Sequence, residues 1–250
     1  MKKLYLIWRV LATGFSFLLF GIGGFLLALL VFPLINLIWR DQWLRRYRAQ
    51  QLISWSFRFY LKLLDYLGVM SYEIKGLETL RADKGRIIIA NHPSLLDVVL
   101  LIAALPQADC VVKQALWRNP FLRGVVKAAG YISNQDTEAL ILQCRDSLKK
   151  GGCLILFPEG TRTTPGKAVR FQRGAANIAL RAQADIRLVE ISCQPTTLTK
   201  QEKWYQVADR KVKFLVEVKR LVEVQPFLAE ADELPLATRQ LTRYLESQYT

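Results

Sequence analysis

Arg86-Ile87-Ile88-Ile89-Ala90-Asn91-His92-Pro93-Ser94-Leu95-Leu96-Asp97 is the stretch that decides the fold. The short apolar run Ile87 to Ala90 reads as a buried strand. Asn91-His92-Pro93-Ser94 then breaks it with turn-forming residues. The apolar segment from Leu95 to Ala104 that follows has the length of a helix. Strand, polar loop and helix in that order make an α/β unit, and ligands in such sheets bind outside the carboxyl ends of the strands.

His92 is the only histidine in the chain, and Asp97 stands five positions on. An imidazole at a strand end with a carboxylate in reach is a candidate general base with its orienting acid. The same spacing has a second reading. Ser94 and Asp97 fit a helix capping box, in which the carboxylate only satisfies backbone donors. Both readings stand on this stretch alone.

Cys153-Leu154-Ile155-Leu156-Phe157 repeats the pattern and empties into Pro158-Glu159-Gly160-Thr161-Arg162-Thr163-Thr164. Further strands are expected near Ser71 to Lys75, Cys110 to Lys113, Tyr131 to Ser133, Ile186 to Cys193 and Lys211 to Lys219. Helices are expected near Pro120 to Ala129, Thr137 to Lys149, Arg173 to Gln183 and Pro235 to Gln248. The expected fold is α/β, a mixed sheet flanked by helices, behind an N-terminal hydrophobic anchoring segment.

That segment runs from Val10 to Trp39 without a charged residue, against the roughly 20 apolar residues that span a bilayer as helix. Lys2, Lys3 and Arg9 flank it on one side and Arg40, Arg45, Arg46 and Arg48 on the other. It is longer than the apolar core of a cleaved signal peptide, which favours an anchor. Gly21, Gly23, Gly24 and Pro33 leave open one long tilted helix or a hairpin of two. The heavier second flank favours a cytoplasmic catalytic domain, on the face of an inner or plasma membrane. Trp43 to Leu67 mixes aromatic residues with Arg45, Arg46, Arg48, Arg58 and Lys62. It reads either as a helix in the headgroup plane or as a core helix over the sheet. The expected division is residues 1–67 for anchoring and interfacial helices and 68–250 for the α/β domain.

A formal net charge of +14 calls for an anionic partner. With an apolar N-terminus, that partner is a membrane surface rather than nucleic acid. The four cysteines are isolated, and with one histidine they support neither a zinc site nor a thiol relay. Ser94 lacks the glycine elbow of a nucleophilic serine. The carboxylates are too scattered for a two-metal site.

Asn91-His92 with Asp97, followed by Phe157-Pro158-Glu159-Gly160-Thr161-Arg162, resembles the glycerolipid acyltransferase family, over roughly Met70 to Pro195. The resemblance implies transfer of a fatty acyl group from an acyl-CoA or acyl carrier protein thioester to the hydroxyl of a lysophospholipid such as 1-acylglycerol-3-phosphate. It makes His92 the base and Asp97 its partner, with no bound cofactor. It assigns Glu159, Gly160, Thr161 and Arg162 to the acceptor, and Arg162 suits bidentate capture of a phosphate. Two departures bear on that acceptor. Asn134-Gln135-Asp136 lacks the family's arginine, and Phe171-Gln172-Arg173-Gly174 stands for Phe-Lys-x-Gly. Arg173, Lys167 or Arg170 are the candidates to compensate, with Lys113 in a loosely matching segment. Without compensation, the acceptor is an amino lipid, glycolipid or specialised lipid. A non-catalytic protein binding anionic lipid or nucleic acid is the remaining alternative.

Overall fold

A computed structural model describes residues 2–134 and 137–249. Its seven strands lie in the order β1 (Met70–Lys75), β7 (Val212–Val222), β6 (Ile186–Gln194), β2 (Ile87–Ala90), β5 (Cys153–Leu156), β3 (Ala108–Val112), β4 (Ile132–Ser133). All neighbours are parallel except the antiparallel β6–β7 pair, so the sheet is mixed.

The strand of the opening stretch is central, and none of Ile87, Ile88, Ile89 or Ala90 has any exposed surface. Successive side chains on a strand point to opposite faces. Ile87 and Ile89 therefore join Leu154, Leu156, Ile178 and Leu241 in one core layer. Ile88 and Ala90 join Ile155, Leu100, Leu101, Ile53 and Leu61 in the other. The first layer is roofed by α8 (Thr137–Lys149), α9 (Gly174–Ala182) and α11 (Leu234–Ser247), the second by α3 (Gln42–Tyr66) and α5 (Asp97–Ala104). Helices on both faces are what a parallel centre requires.

The N-terminal segment is helical without a turn, as α1 (Lys2–Leu26), a π-helical stretch Leu27–Val31 and α2 (Phe32–Ile38). Backbone angles stay right-handed helical at Leu26, Val31 and Phe32, which excludes the hairpin. Pro33 explains the π stretch, since its ring has no N–H to give and crowds the carbonyl one turn back. Lys3–Ile38 is long and apolar enough to cross a membrane, with mean hydropathy 2.6.

Arg9, expected as a flanking cation, is instead folded inward and 2% exposed. Its guanidinium donates to Gly68 O at 2.8 Å, Val69 O at 3.3 Å and Ala208 O at 2.9 Å. Nothing in its local sequence announces partners 59 and 199 positions away. In α3, Ala49, Ile53, Leu61 and Leu64 are buried toward α5, whereas Trp55, Phe59 and Tyr66 stand exposed. The helix thus covers the sheet with one face and presents aromatic rings on another.

Three short helices were not expected: α4 (Leu77–Ala82), α6 (Gln114–Arg118) and α10 (Gln225–Ala229). At 5 or 6 residues they are too short to show helical periodicity. The helix expected from Pro120 is α7 (Arg123–Ala129). β7 runs three residues past Lys219 because its pairing with β6 continues to Val222.

At the opposite end of β2 from His92, buried Asp83 accepts from Arg187 Nε at 2.7 Å and Nη2 at 3.1 Å, and pairs with Arg86. Burial alone would raise its pKa, but the two guanidiniums prevail and hold it below 3.8. A carboxylate depressed in the fold adds stability above about pH 4, and loses it as pH falls through its folded value. Asp83→Ala is therefore expected to destabilise the fold by about 3–5 kcal/mol at neutral pH, because it leaves two guanidiniums without their anion. Denaturant titration at pH 7 and pH 3 checks this, with the gap between wild type and variant shrinking at the lower pH.

Candidate active site

His92 lies two residues past the end of β2, and Asp97 opens α5. Asp97 Oδ2 lies 2.9 Å from His92 Nδ1 and accepts the Ser94 N–H at 2.7 Å. The contacts that the two readings require are therefore both present, on one oxygen. The capping box is only half made, for Ser94 Oγ accepts from Leu96 N at 3.4 Å rather than reaching the Asp97 amide. The helix starts two residues later than Leu95 for the same reason: Ser94 to Leu96 form the turn that carries this arrangement.

Asp97 has no exposed surface, and its Oδ1 has no partner among the described residues. Burial pushes its pKa up; the His92 and Ser94 hydrogen bonds pull it back, and the nearby Glu159 charge adds to the rise. A buried carboxylate against Nδ1 fixes the ring with its proton on that nitrogen and frees Nε2 to take another. The imidazole is 15% exposed, and its ring lies against Phe157 at 4.4 Å between centroids.

The second strand-end loop grips the first. Glu159 Oε1 accepts from the His92 amide at 2.9 Å and from the Thr163 hydroxyl at 2.6 Å. Thr163 Oγ1 also accepts from the His92 amide at 3.1 Å, and the Thr163 amide donates to His92 O at 2.7 Å. Gly160 makes this turn possible, with φ +66 and its amide donating to Phe157 O at 3.0 Å. Thr163 was not singled out in the sequence. Its signal was its place one residue beyond Arg162 in a loop of polar residues.

Arg162 spends Nη1 on Leu198 O at 2.7 Å and Thr199 O at 2.9 Å. Leu198 O also accepts from the Leu95 amide at 3.3 Å, so Arg162 ties the β6–β7 connection to the loop after His92. Nε and Nη2 have no hydrogen-bond partner among the described residues. Thr161 is half-buried, with no side-chain partner among the described residues. Arg173 is exposed at the N-cap of α9 and makes no ion pair among them. Of the compensating cations, Arg170 is engaged with Glu246 at 3.6 Å, while Lys113 and Lys167 are exposed. Gln135 and Asp136 lie outside the described residues.

Two further residues hold β2 against β6 beside the site. The Asn91 side chain pairs with the Ile191 backbone in both directions, at 2.8 and 2.7 Å, as a strand would. Tyr249 Oη lies 2.8 Å from Ile89 O and 3.0 Å from Val189 O. The thiols are not rival nucleophiles, since burial pushes Cys110, Cys144 and Cys193 up to about 12 and Cys153 to about 11.

This geometry sits within a recognisable stretch of sequence. A family model described as Acyltransferase matches residues 71–197. A 1-acyl-sn-glycerol-3-phosphate acyltransferase from Helicobacter pylori is 34% identical over 109 residues, 41% of this chain and 46% of that protein. One from Pseudomonas aeruginosa is 30% identical over 131 residues, 50% of this chain and 51% of that protein. A chloroplastic counterpart from Arabidopsis thaliana is 28% identical, with 49% of this chain and 36% of that protein aligned. The chain thus matches about half or less of the length of these relatives. The crystal structure of a 1-acyl-sn-glycerophosphate (LPA) acyltransferase, PlsC, from Thermotoga maritima shares the fold, with TM-score 0.73, 20% identity, and coverage of 100% of this chain and 96% of that one. With half of its residues matched by the family model and both motifs at the strand ends where the sequence put them, the chain belongs to the glycerolipid acyltransferase family.

Proposed function

We propose that the protein is a membrane-bound O-acyltransferase that moves a fatty acyl group from an acyl-CoA or acyl carrier protein thioester to the hydroxyl of a lysophospholipid such as 1-acylglycerol-3-phosphate, giving phosphatidate. The observation that carries this reading is the buried Asp97 carboxylate on Nδ1 of the only histidine.

A hydroxyl is a weak nucleophile until its proton is taken. Its oxygen attacks the thioester carbonyl carbon while His92 Nε2 accepts the proton. Asp97 stabilises the imidazolium that forms. The tetrahedral intermediate then collapses, the C–S bond breaks, and the thiolate leaves with the proton carried by His92. One ester and one thiol result, with no acyl-enzyme and no bound cofactor. Glu159 and Thr163 act on the backbone of His92 rather than on substrate, while Arg162 offers Nε and Nη2 to an acceptor phosphate. The apolar helix Lys3–Ile38 and the exposed rings of α3 hold the domain at the lipid surface, on the cytoplasmic face.

The test is turnover. Protein purified in detergent is given labelled acyl thioesters, both CoA and carrier protein, with a panel of lysophospholipids, amino lipids and glycolipids. Formation of phosphatidate from 1-acylglycerol-3-phosphate is the expected result; no product with any pair would overturn the reading. A different acceptor has one observation in its favour, that Arg162 already commits Nη1 to two carbonyls. It is distinguished by product formed only from acceptors without phosphate.

Glu159→Ala separates holding His92 from holding substrate. Misplacing a reacting group by about 1 Å costs roughly a hundredfold in rate. The expected result is a fall in kcat of that order, with the acceptor KM changed less than about twofold; a rise in KM alone would return Glu159 to acceptor binding.

A further inference from the structure

Beyond the outer edge of the sheet, past β4, a groove of about 950 Å³ opens between α2, the start of α3 and the α6–α7 segment. It lies apart from the His92 site: β3 and β5 stand between β4 and β2, about 14 Å at 4.8 Å per strand. Among the described residues, three cations line it, Arg45, Arg46 and Lys127, and no carboxylate does. Arg46 is paired with Asp109 in an adjoining pocket, but Arg45 and Lys127 have no acidic partner among the described residues. Two buried polar atoms on its wall, Trp117 Nε1 and Ser133 Oγ, also take no hydrogen bond among the described residues. Buried polar groups in a folded protein are nearly always partnered, so an orphaned indole N–H beside free cations is a site without its acceptor. An anion with several oxygens fits that set.

The opposite wall says which anion. Ala28, Phe32 and Pro33 belong to the long apolar helix, near the end that reaches water at Arg40. A ligand seated here has its charge among Arg45, Lys127 and Trp117 and an apolar body along that helix. We propose that this groove binds an acidic membrane phospholipid by its phosphate, as a resident lipid separate from the reacting pair. The proposal rests on the reading of Lys3–Ile38 as a membrane segment, not on the chemistry at His92. Arg45 and the helix wall precede residue 71, so they lie outside the part matched by the family model.

Binding is read without turnover, so its failure is distinct from failure of the acyltransferase reading. Full-length protein in detergent micelles is titrated with phosphatidylglycerol or phosphatidylcholine, and retained lipid is counted by native mass spectrometry. Wild type should retain phosphatidylglycerol preferentially. The double variant Arg45→Gln with Lys127→Gln should bind it about thirtyfold more weakly, the worth of two surface cations. Arg239→Gln with Arg243→Gln removes the same charge from exposed positions on α11, over the other face of the sheet, and should change binding less than about twofold. Trp117→Phe, which keeps the ring and deletes the donor, should weaken binding while the melting curve stays in place. Equal loss in both double variants would reduce the effect to net charge and overturn the site. So would equal retention of the two lipids. Competition by inorganic phosphate as effective as by phosphatidylglycerol would overturn the assignment to a lipid.

Discussion

His92→Ala is expected to lower acyl transfer by roughly 10³–10⁴-fold, because a positioned base contributes up to that much and the sequence offers no second neutral-pH base. The side chain is 15% exposed at the end of a strand whose own residues are fully buried, so its removal leaves the core layers untouched. The loss should fall on kcat, with the acceptor still bound. Initial rates at saturating acyl thioester, together with a thermal melt of the same preparation, separate the two. Retained activity in a variant that melts normally would remove His92 from the reaction.

Asp97→Asn tests a different property of the same pair. The amide oxygen can occupy the place of Oδ2 and keep both the Ser94 and His92 contacts, and the NH₂ would replace Oδ1, the oxygen that has no partner. What it cannot supply is negative charge against the imidazolium. The same substitution in a Ser-His-Asp triad costs about 10⁴ in kcat, and a drop of roughly 10³–10⁴-fold is expected here. Stability should move the other way with pH. The folded protein raises the pKa of Asp97, so ionising it costs more in the fold than in the open chain. That cost is absent below the unfolded value near 3.8 and grows as pH rises from there toward the folded value. Relative to Asp97→Asn, wild type should therefore be less stable at pH 7 than at pH 4. Denaturant titrations of both proteins at the two pH values measure it, and a wild-type advantage that grows with pH would contradict the assignment of burial as the dominant influence.

How much of this was legible in the sequence depends on the range over which each feature is determined. The central strands were legible because Ile87 to Ala90 and Cys153 to Leu156 are continuous apolar runs, and a parallel centre covered on both faces demands that pattern. The His92–Asp97 contact was legible because it is local, five residues within one turn. Spacing could not show that a single oxygen serves both the cap and the ring. Glu159 was legible as a motif residue, whereas the reach of its carboxylate to a backbone amide 67 positions earlier was not. The pairing of β1 with β7, the inward turn of Arg9 and the place of Tyr249 between β2 and β6 were not legible. Each depends on which distant backbone groups the topology leaves without partners, and no window of sequence contains that information.

The buried guanidinium of Arg9 changes what the first helix is to the rest of the molecule. A flexible tether would let the catalytic domain drift above a bilayer; a helix clamped at Gly68, Val69 and Ala208 is a strut with a fixed joint. In a membrane, any tilt or change of depth forced on that helix by bilayer thickness is passed to His92 as a rigid displacement. Under the proposed membrane-bound function, lipid composition is then a mechanical input to the height at which the imidazole meets its substrates.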